Sequence, residues 1–358
     1  MRAAEFDFFL PPELIAQAPV PERDQSRLLV LQRDTRQIAH RGFRDFLDYL
    51  RRGDVLVLND SRVIPARLRG INARSGGQFE ILLLEENAVN DWWVMLRPGK
   101  RARVGAEIIL CDPDGIPTPV RARVLDINAE GHRRLEFSGV PNLRELLDTL
   151  GEIPLPPYIT RAHPNELTAD KIRYQTVYAA SAGSVSAPTA GLHFTEALLA
   201  EIRARGVRVC FVTLHVGLGT FAPVKAEILA DHTMHGERYE LGQETARLVN
   251  EAKANNRRIV AVGTTSVRVL ESVAAQNQGR IVPGAGRTKI FIYPPRAFQI
   301  VDALLTNFHL PRSTLLMLVS AFAAPNEIQG RELMLAAYAE AVRERYRFFS
   351  YGDAMLIL

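Results

Sequence analysis

The stretch Ile259-Val-Ala-Val-Gly-Thr-Thr-Ser-Val-Arg-Val-Leu-Glu271 decides the architecture. Four apolar residues make a short strand, a glycine interrupts it, and three hydroxyl residues open a helix. A strand delivered straight into a helix is the unit of an α/β layer. The surrounding chain repeats the alternation. Helix Thr195 to Arg205 has a threonine N-cap and Gly206 just past its end, and strand Val207 to His215 follows it. Helix Glu244 to Ala254, strand Arg258 to Val262 and helix Thr265 to Ala275 continue the pattern. Strand Lys289 to Tyr293, helices Ser313 to Ala323 and Glu332 to Tyr346, and a last strand near Ala354 complete it. Near the N-terminus, strand Leu28 to Leu31, helix Phe43 to Leu50 and strand Val55 to Leu58 belong to the same layer. The expected fold class is α/β, a mixed and largely parallel sheet with helices.

From Val63 to about Phe137 the texture changes. Short β-rich runs, Phe79 to Leu84, Trp92 to Leu96, Glu107 to Leu110, Val120 to Ile127 and Arg134 to Phe137, are separated by Gly, Pro, Asn and Asp. Such spacing with little helical period argues for a small all-β barrel or sandwich. The chain therefore divides into an α/β catalytic domain, residues 1–62 and 141–358, and an inserted β-barrel domain, residues 63–140. A helical period returns over Asn142 to Leu150, before the proline-rich link Pro154-Leu-Pro-Pro-Tyr158.

Composition sets the class. The 358 residues are 47% hydrophobic and 23% charged, ordinary for a globular chain with ample core. A net charge of +4 fits an anionic partner without requiring one. Two cysteines, Cys111 and Cys210, make no disulfide scaffold and fit a reducing compartment. The N-terminal run carries acidic residues where a signal peptide needs an apolar core, and Leu315 to Ala324 is too short to span a bilayer. A cytoplasmic protein without a membrane partner is expected.

Candidate chemistry lies in five histidines. His193 is in Ala187-Pro-Thr-Ala-Gly-Leu-His-Phe-Thr195, a segment that includes Thr189 and Gly191. His215 is in Val212-Thr-Leu-His-Val-Gly-Leu-Gly-Thr-Phe221, at the end of an apolar strand, where open α/β sheets hold ligands. His232 and His235 are in Asp231-His-Thr-Met-His-Gly-Glu237, and His309 is in Thr306-Asn-Phe-His-Leu-Pro311. One such histidine is ordinarily a hydrogen-bonded structural residue; five among glycines and turn residues suggest the lining of a polar pocket. No Cys–x–x–Cys or His–Glu–x–x–His accompanies them, so no metal is expected. No Gly–x–Ser–x–Gly elbow supports a serine hydrolase.

Thr264, Thr265 and Ser266, at a helix start, suit an anion such as a carboxylate or phosphate, with Arg268 adding charge. The segment is neither a Walker loop nor a Gly–x–Gly–x–x–Gly fingerprint. Pro21-Glu-Arg-Asp-Gln-Ser-Arg-Leu-Leu29 and Leu58-Asn-Asp-Ser-Arg-Val-Ile-Pro-Ala-Arg67 place Arg23, Ser26, Arg27, Asn59, Arg62 and Arg67 at strand ends, the arginines as candidate phosphate contacts. Arg97-Pro-Gly-Lys-Arg-Ala-Arg103 is a basic loop on the β domain.

These segments, with Leu155 to Ile159, Tyr174-Gln-Thr-Val-Tyr178, Ile290 to Pro294, Val301 to Phe322 and Tyr346-Arg-Phe-Phe-Ser-Tyr-Gly-Asp-Ala-Met355, resemble the S-adenosylmethionine:tRNA ribosyltransferase-isomerase family of queuosine biosynthesis nearly end to end. The chain departs from the family pattern at Ser186, Gly236, Pro295-Arg296 and Ala179 to Gly183. None of these removes a histidine or a Thr–Thr–Ser hydroxyl, so activity is expected to persist. The resemblance implies transfer and isomerisation of the ribosyl part of S-adenosylmethionine onto the aminomethyl group of 7-aminomethyl-7-deazaguanine at the tRNA wobble position. Epoxyqueuosine-tRNA, adenine and methionine would be the products. S-adenosylmethionine is then a consumed substrate, and no cofactor and a monomer are expected.

On that reading His193, His215, His232, His235 and His309 form an acid/base pool, with Asp231 and Glu237 orienting them. Thr264 to Ser266 and Arg268 would hold the methionine carboxylate. Asn307, Tyr351 and Asp353 join Arg23, Ser26, Arg27, Asn59, Arg62, Thr189 and Gly191 as substrate contacts. An RNA methyltransferase using S-adenosylmethionine is the alternative, although the glycine-rich loop usual after its first strand is absent. A non-catalytic RNA-binding module would leave the histidine segments without a purpose, and the aromatic residues lie in apolar runs rather than in a stacking groove.

Overall fold

A computed structural model describes residues 1–161, 164–217 and 226–358. The Leu218 to Phe221 end of the Val212–Phe221 motif lies outside the described residues. The first strands are β1 (Arg27–Leu31), β2 (Ile38–Gly42), β3 (Val55–Asn59) and β4 (Ser61–Val63). Six strands follow without an intervening α-helix: β5 (Arg67–Asn72), β6 (Gln78–Ala88), β7 (Asp91–Arg97), β8 (Glu107–Cys111), β9 (Pro117–Ile127) and β10 (Arg133–Ser138). Then come α1 (Leu147–Leu150), α2 (Pro164–Arg173), β11 (Ser181–Ser184), α3 (Glu196–Ala204), β12 (Arg208–Leu214), β13 (Glu237–Leu241) and α4 (Gln243–Ala254). The chain ends with β14 (Ile259–Val262), α5 (Gly263–Gln276), β15 (Gly284–Thr288), β16 (Ala303–Asn307), α6 (Thr314–Ala323), α7 (Gly330–Arg343) and β17 (Ala354–Ile357).

Nine strands form one sheet in the order β15-β13-β12-β3-β14-β16-β17-β1-β2. Its centre, β12-β3-β14-β16, is parallel. Both faces of that centre are covered, so its strands are apolar at nearly every position. Val55, Val57, Val212 and Ala261 pack against α4, α5 and α6, while Leu56, Leu58, Val260 and Val262 pack against Phe43, Phe46, Phe194 and α3. The six strands from Arg67 to Ser138 close an antiparallel barrel in the order β10-β7-β6-β5-β8-β9, filled by Leu68, Ile81, Trp92, Ile108 and Val124. The fold class expected from sequence is the one observed.

The carboxyl ends of β12, β3, β14 and β16 share one edge of the sheet. β17 runs antiparallel to β16 with Ala354 opposite Asn307, and parallel to β1 with Leu28 opposite Ala354. The amino ends of β17 and β1 therefore meet the same edge. Gly263 is the turn that carries β14 into α5, at φ +83, a left-handed conformation that disfavours other residues. Thr195 caps α3 by accepting from the Leu198 N–H at 3.1 Å, and Gly206 ends it at φ +81.

Several local expectations are corrected. The strand placed at Lys289 to Tyr293 lies instead at Gly284–Thr288, paired with β13. Ile292 buries its side chain in the core without joining a ladder, and the Pro294-Pro295 that follows has no N–H to donate. The helix placed at Phe43 to Leu50 is a 3-10 helix, Phe43–Tyr49. The strands β2, β4, β5, β11, β13 and β16 and the helix α2 went unpredicted.

Glu271 on α5 fixes the approach to β16. It is 1% exposed, and its carboxylate accepts the backbone N–H groups of Gln299, Ile300 and Val301 at 2.9, 3.0 and 3.0 Å. Glu271→Gln keeps the shape but turns an amide N–H₂ toward N–H donors. A loss of about 2–3 kcal/mol is expected, since hydrogen bonds to charged groups and unsatisfied buried donors lie in that range. Urea unfolding should show a lower midpoint at unchanged slope.

Candidate functional site

The strand-end edge gathers most of the candidate residues. His193 ends a 3-10 turn, Thr189–His193, and is 5% exposed. Its Nε2 accepts from the Asn307 Nδ2 at 3.2 Å, and the same amide donates to the Phe349 carbonyl at 3.2 Å. The ring proton is therefore on Nδ1, which donates to the Ser26 Oγ at 2.7 Å. Phe43 stacks on the ring at 4.9 Å between centroids. Burial first, then the cationic Arg347 and Arg23, pushes the His193 pKa down to about 3. This imidazole is neutral, with both nitrogens engaged.

His215 differs. It follows β12 and is partly exposed; its Nδ1 pairs with the Ser61 Oγ at 2.8 Å, and Ser61 pairs with the Ser184 Oγ at 2.6 Å. Nε2 has no hydrogen-bond partner among the described residues. The ring lies against Gly183, where an added Cβ would come within 2.8 Å of it. Burial, then Arg144 and Arg238, lowers the pKa below the usual histidine value. The base form is thus the resting form at neutral pH.

Asn59 orders this strand end without facing a ligand. It is 0% exposed; its Oδ1 accepts from the Leu214 and Ser61 N–H groups, and its Nδ2 donates to the Leu214 carbonyl. The neighbouring Asp60 escaped the sequence reading. Its Oδ1 accepts from the Thr213 Oγ1 at 2.6 Å, and no ion pair to it is found among the described residues. Burial, opposed by the Thr213 hydrogen bond, raises its pKa above the usual carboxylate value. The available signal was a charged residue at the end of an apolar strand.

The remaining candidates divide by what they hold. Asp353 accepts from the Arg27 and Arg347 N–H groups at 3.0 and 2.8 Å, so it ties chain segments together. Tyr351 donates to Asp170 at 2.7 Å. His309 is 8% exposed, pairs through Nε2 with the Thr306 Oγ1 at 3.0 Å, and has its pKa pushed down to about 3 by burial. Gly191 packs where a Cβ would overlap the Tyr178 hydroxyl, and Thr189 is partly exposed beside it. Thr264, Thr265 and Ser266 are buried in the first turn of α5, and Ser266 donates back to the Val262 carbonyl at 2.8 Å.

Asp231, His232 and His235 are not with this group. Asp231 is exposed, His232 packs edge-on to Phe291 at 5.1 Å, and His235 faces Glu130 of the barrel at 3.4 Å. Among the described residues no three His, Cys, Asp or Glu side chains form a metal-ligand group.

The arginines read as candidate phosphate contacts differ in what they meet within the protein. Arg23 donates to the Leu192 and Ile172 carbonyls, Arg27 to the Glu344 carbonyl while stacking on Tyr346, and Arg67 to the Leu155 carbonyl. Partly buried guanidiniums need acceptors, and these carbonyls supply some of them, while the Arg67 Nε is buried without a partner. Arg62 is exposed, as are Arg97, Lys100, Arg101 and Arg103 on the barrel. Arg133 pins the barrel loop by donating to the Gly99 carbonyl at 2.6 Å and the Ala102 carbonyl at 3.4 Å.

Residues 3–357 match the family model described as queuosine biosynthesis protein. A protein of Desulforamulus reducens named S-adenosylmethionine:tRNA ribosyltransferase-isomerase is 49% identical over 358 residues, with 100% of both chains covered. Proteins of the same name from Caldanaerobacter subterraneus and Acetivibrio thermocellus are each 51% identical, again over 100% of both chains. The crystal structure of S-adenosylmethionine tRNA ribosyltransferase from Thermotoga maritima is 40% identical, at a TM-score of 0.55, covering 99% of this chain and 100% of that one. The names favour ribosyl transfer over methyl transfer. The chain belongs to the queuosine biosynthesis protein family.

Proposed function

We propose that the chain transfers and isomerises the ribosyl part of S-adenosylmethionine onto the aminomethyl group of 7-aminomethyl-7-deazaguanine at the tRNA wobble position. Epoxyqueuosine-tRNA forms, and adenine and methionine leave. The family match over residues 3–357 supports the reaction, and the surroundings of His215 support its assignment to that residue. The proposal also takes residues 63–140 as a barrel domain that shares tRNA binding with a catalytic domain, 1–62 and 141–358, in a cytoplasmic monomer without a resident cofactor.

The positive sulfonium acidifies the C5′ proton, and its removal needs a base that is neutral at neutral pH. His215 fits: its Nδ1 is held by Ser61, its Nε2 is unpartnered among the described residues, and its pKa is lowered. The attacking amine must lose a proton. Asp60, a partly buried carboxylate with a raised pKa at the end of β3, is suited to receive it. His193 and His309, neutral and hydrogen-bonded within the fold, position the surrounding turns.

Incubation with modified tRNA and labelled S-adenosylmethionine should release free adenine; release of S-adenosylhomocysteine would indicate methyl transfer instead. His215→Ala is expected to lower adenine release by about 10²–10⁴-fold while tRNA affinity persists. Full rates after single replacement of each of the five histidines would sink the acid/base assignment. Gly183→Ala, which pushes on the His215 ring, should lower kcat with little change in KM for tRNA. Raising salt should weaken tRNA binding steeply through counterion release, and a salt-independent affinity would remove the basic barrel loop from the account.

The structural histidines have their own signature. Their folded pKa values, about 3, lie below the unfolded value of 6.5. The unfolded state therefore binds more protons between those limits, so stability is full above pH 6.5 and falls as pH drops toward 3. His309→Gln should flatten that slope by about 1.4 kcal/mol per pH unit, measured by urea unfolding across the window.

A further inference from the structure

The start of α5 holds a guanidinium that the protein only half uses. Arg268 is 3% exposed, and its Nη1 donates to the Glu237 carboxylate. Its Nε and Nη2 are buried without a partner. On a guanidinium these two N–H groups point the same way and match the two oxygens of one carboxylate. Burying two charged donors without acceptors is costly, so folding stability does not account for the arrangement.

Two neighbouring features point to the same ligand chemistry. The Thr265 hydroxyl is buried without a partner, 3.4 Å from where a Cβ on Gly263 would lie, and so beside the helix start. The N-cap position of α5, Val262, gives no side-chain acceptor to the first N–H groups of a fourteen-residue helix. These donors sit at the positive end of the helix. Glu237 places the guanidinium at the strand-end edge, because it opens β13 and its Oε1 accepts from the Gly217 N–H at 3.4 Å. Arg268 and Glu237 together carry one charge of each sign. Their complement is a zwitterion, with a carboxylate for the arginine edge and an ammonium for the glutamate.

We infer that the Nε–Nη2 edge of Arg268, with Thr265 and the first turn of α5, holds the carboxylate of the α-amino-acid end of the sulfonium substrate, and that Glu237 faces its ammonium. This rests on the proposed reaction for the identity of the ligand and sharpens it, since the protein then selects for an intact amino-acid tail. The same subsite accepts free methionine, the product that carries that tail.

The test begins with the wild-type chain and calorimetry. S-adenosylmethionine should bind about 100-fold more tightly than decarboxylated S-adenosylmethionine, which lacks only the carboxylate. L-methionine should compete with the former. Arg268→Lys keeps a cation for Glu237 but removes the two-pronged edge. It should weaken S-adenosylmethionine about 100-fold and leave the decarboxylated compound unchanged. Equal wild-type affinity for the two compounds, or equal loss of both in Arg268→Lys, overturns the assignment. If Arg268→Lys fails to fold, the wild-type pair of ligands decides alone. Adenine release from S-adenosylmethionine on modified tRNA reports separately on the reaction. Its absence with the carboxylate preference intact would overturn the reaction and leave the subsite standing.

Discussion

The Asp353 carboxylate holds both ends of the chain to one edge. It is 2% exposed, and its two oxygens take the N–H groups of Arg27 and Arg347. That clamp seats β17, the last strand, between β16 and β1 in the interior of the sheet. Ser26 directly precedes the clamped residue and supplies the oxygen that orients His193. Asn307, at the end of β16 and opposite Ala354, supplies the other contact. The ring is thus fixed by segments more than a hundred residues away on either side. A local motif reads as a histidine turn, but its geometry is a product of sheet closure.

The histidines separate by what burial does to them. His193 and His309 lie within the protein and are pushed down to about 3, so neither exchanges protons near neutrality in this state. His215 is shifted in the same direction but, among the described residues, keeps one nitrogen unpartnered at the edge where the parallel strands end. Burial neutralises all three; access distinguishes the third. Asp60 obeys the same physics with opposite sign, because burial favours the neutral acid of a carboxyl and the neutral base of an imidazole.

Much of this was legible in the sequence. The unbroken apolar runs at Val55 and Ile259 mark strands buried on both faces, and the punctuated strands from Phe79 to Phe137 mark the barrel. Thr195 and Gly206 mark the ends of a helix through local chemistry. The misses are tertiary. Gly284–Thr288 has no strand propensity and is a strand because β13 pairs with it. The backbone carbonyls that Arg23, Arg27 and Arg67 reach are likewise invisible in the sequence. His232 and His235 share the composition of the other histidine segments but face Phe291 and Glu130. Asp60 was hidden between the more conspicuous Asn59 and Arg62, and what sets it apart is its burial without an ion pair among the described residues.

The barrel is joined to the strand-end edge through β13. Glu85 on β6 pairs with Arg238 of β13 and, at 2.8 Å, with Arg287 of β15, while Glu130 before β10 faces His235. Exposed pairs of this kind contribute little stability singly, yet two arginines on one carboxylate fix a direction as well as a contact. Their pull on Glu85 shows in a pKa held below the usual carboxylate value. β13 in turn lends the Arg238 carbonyl to the His215 N–H at 3.0 Å and begins with Glu237, the partner of Arg268. One short antiparallel strand therefore connects three things: the barrel, the accessible histidine and the buried guanidinium. Displacing the barrel relative to β13 moves the backbone acceptor that holds His215. The barrel is thereby coupled to the strand-end edge through hydrogen bonds.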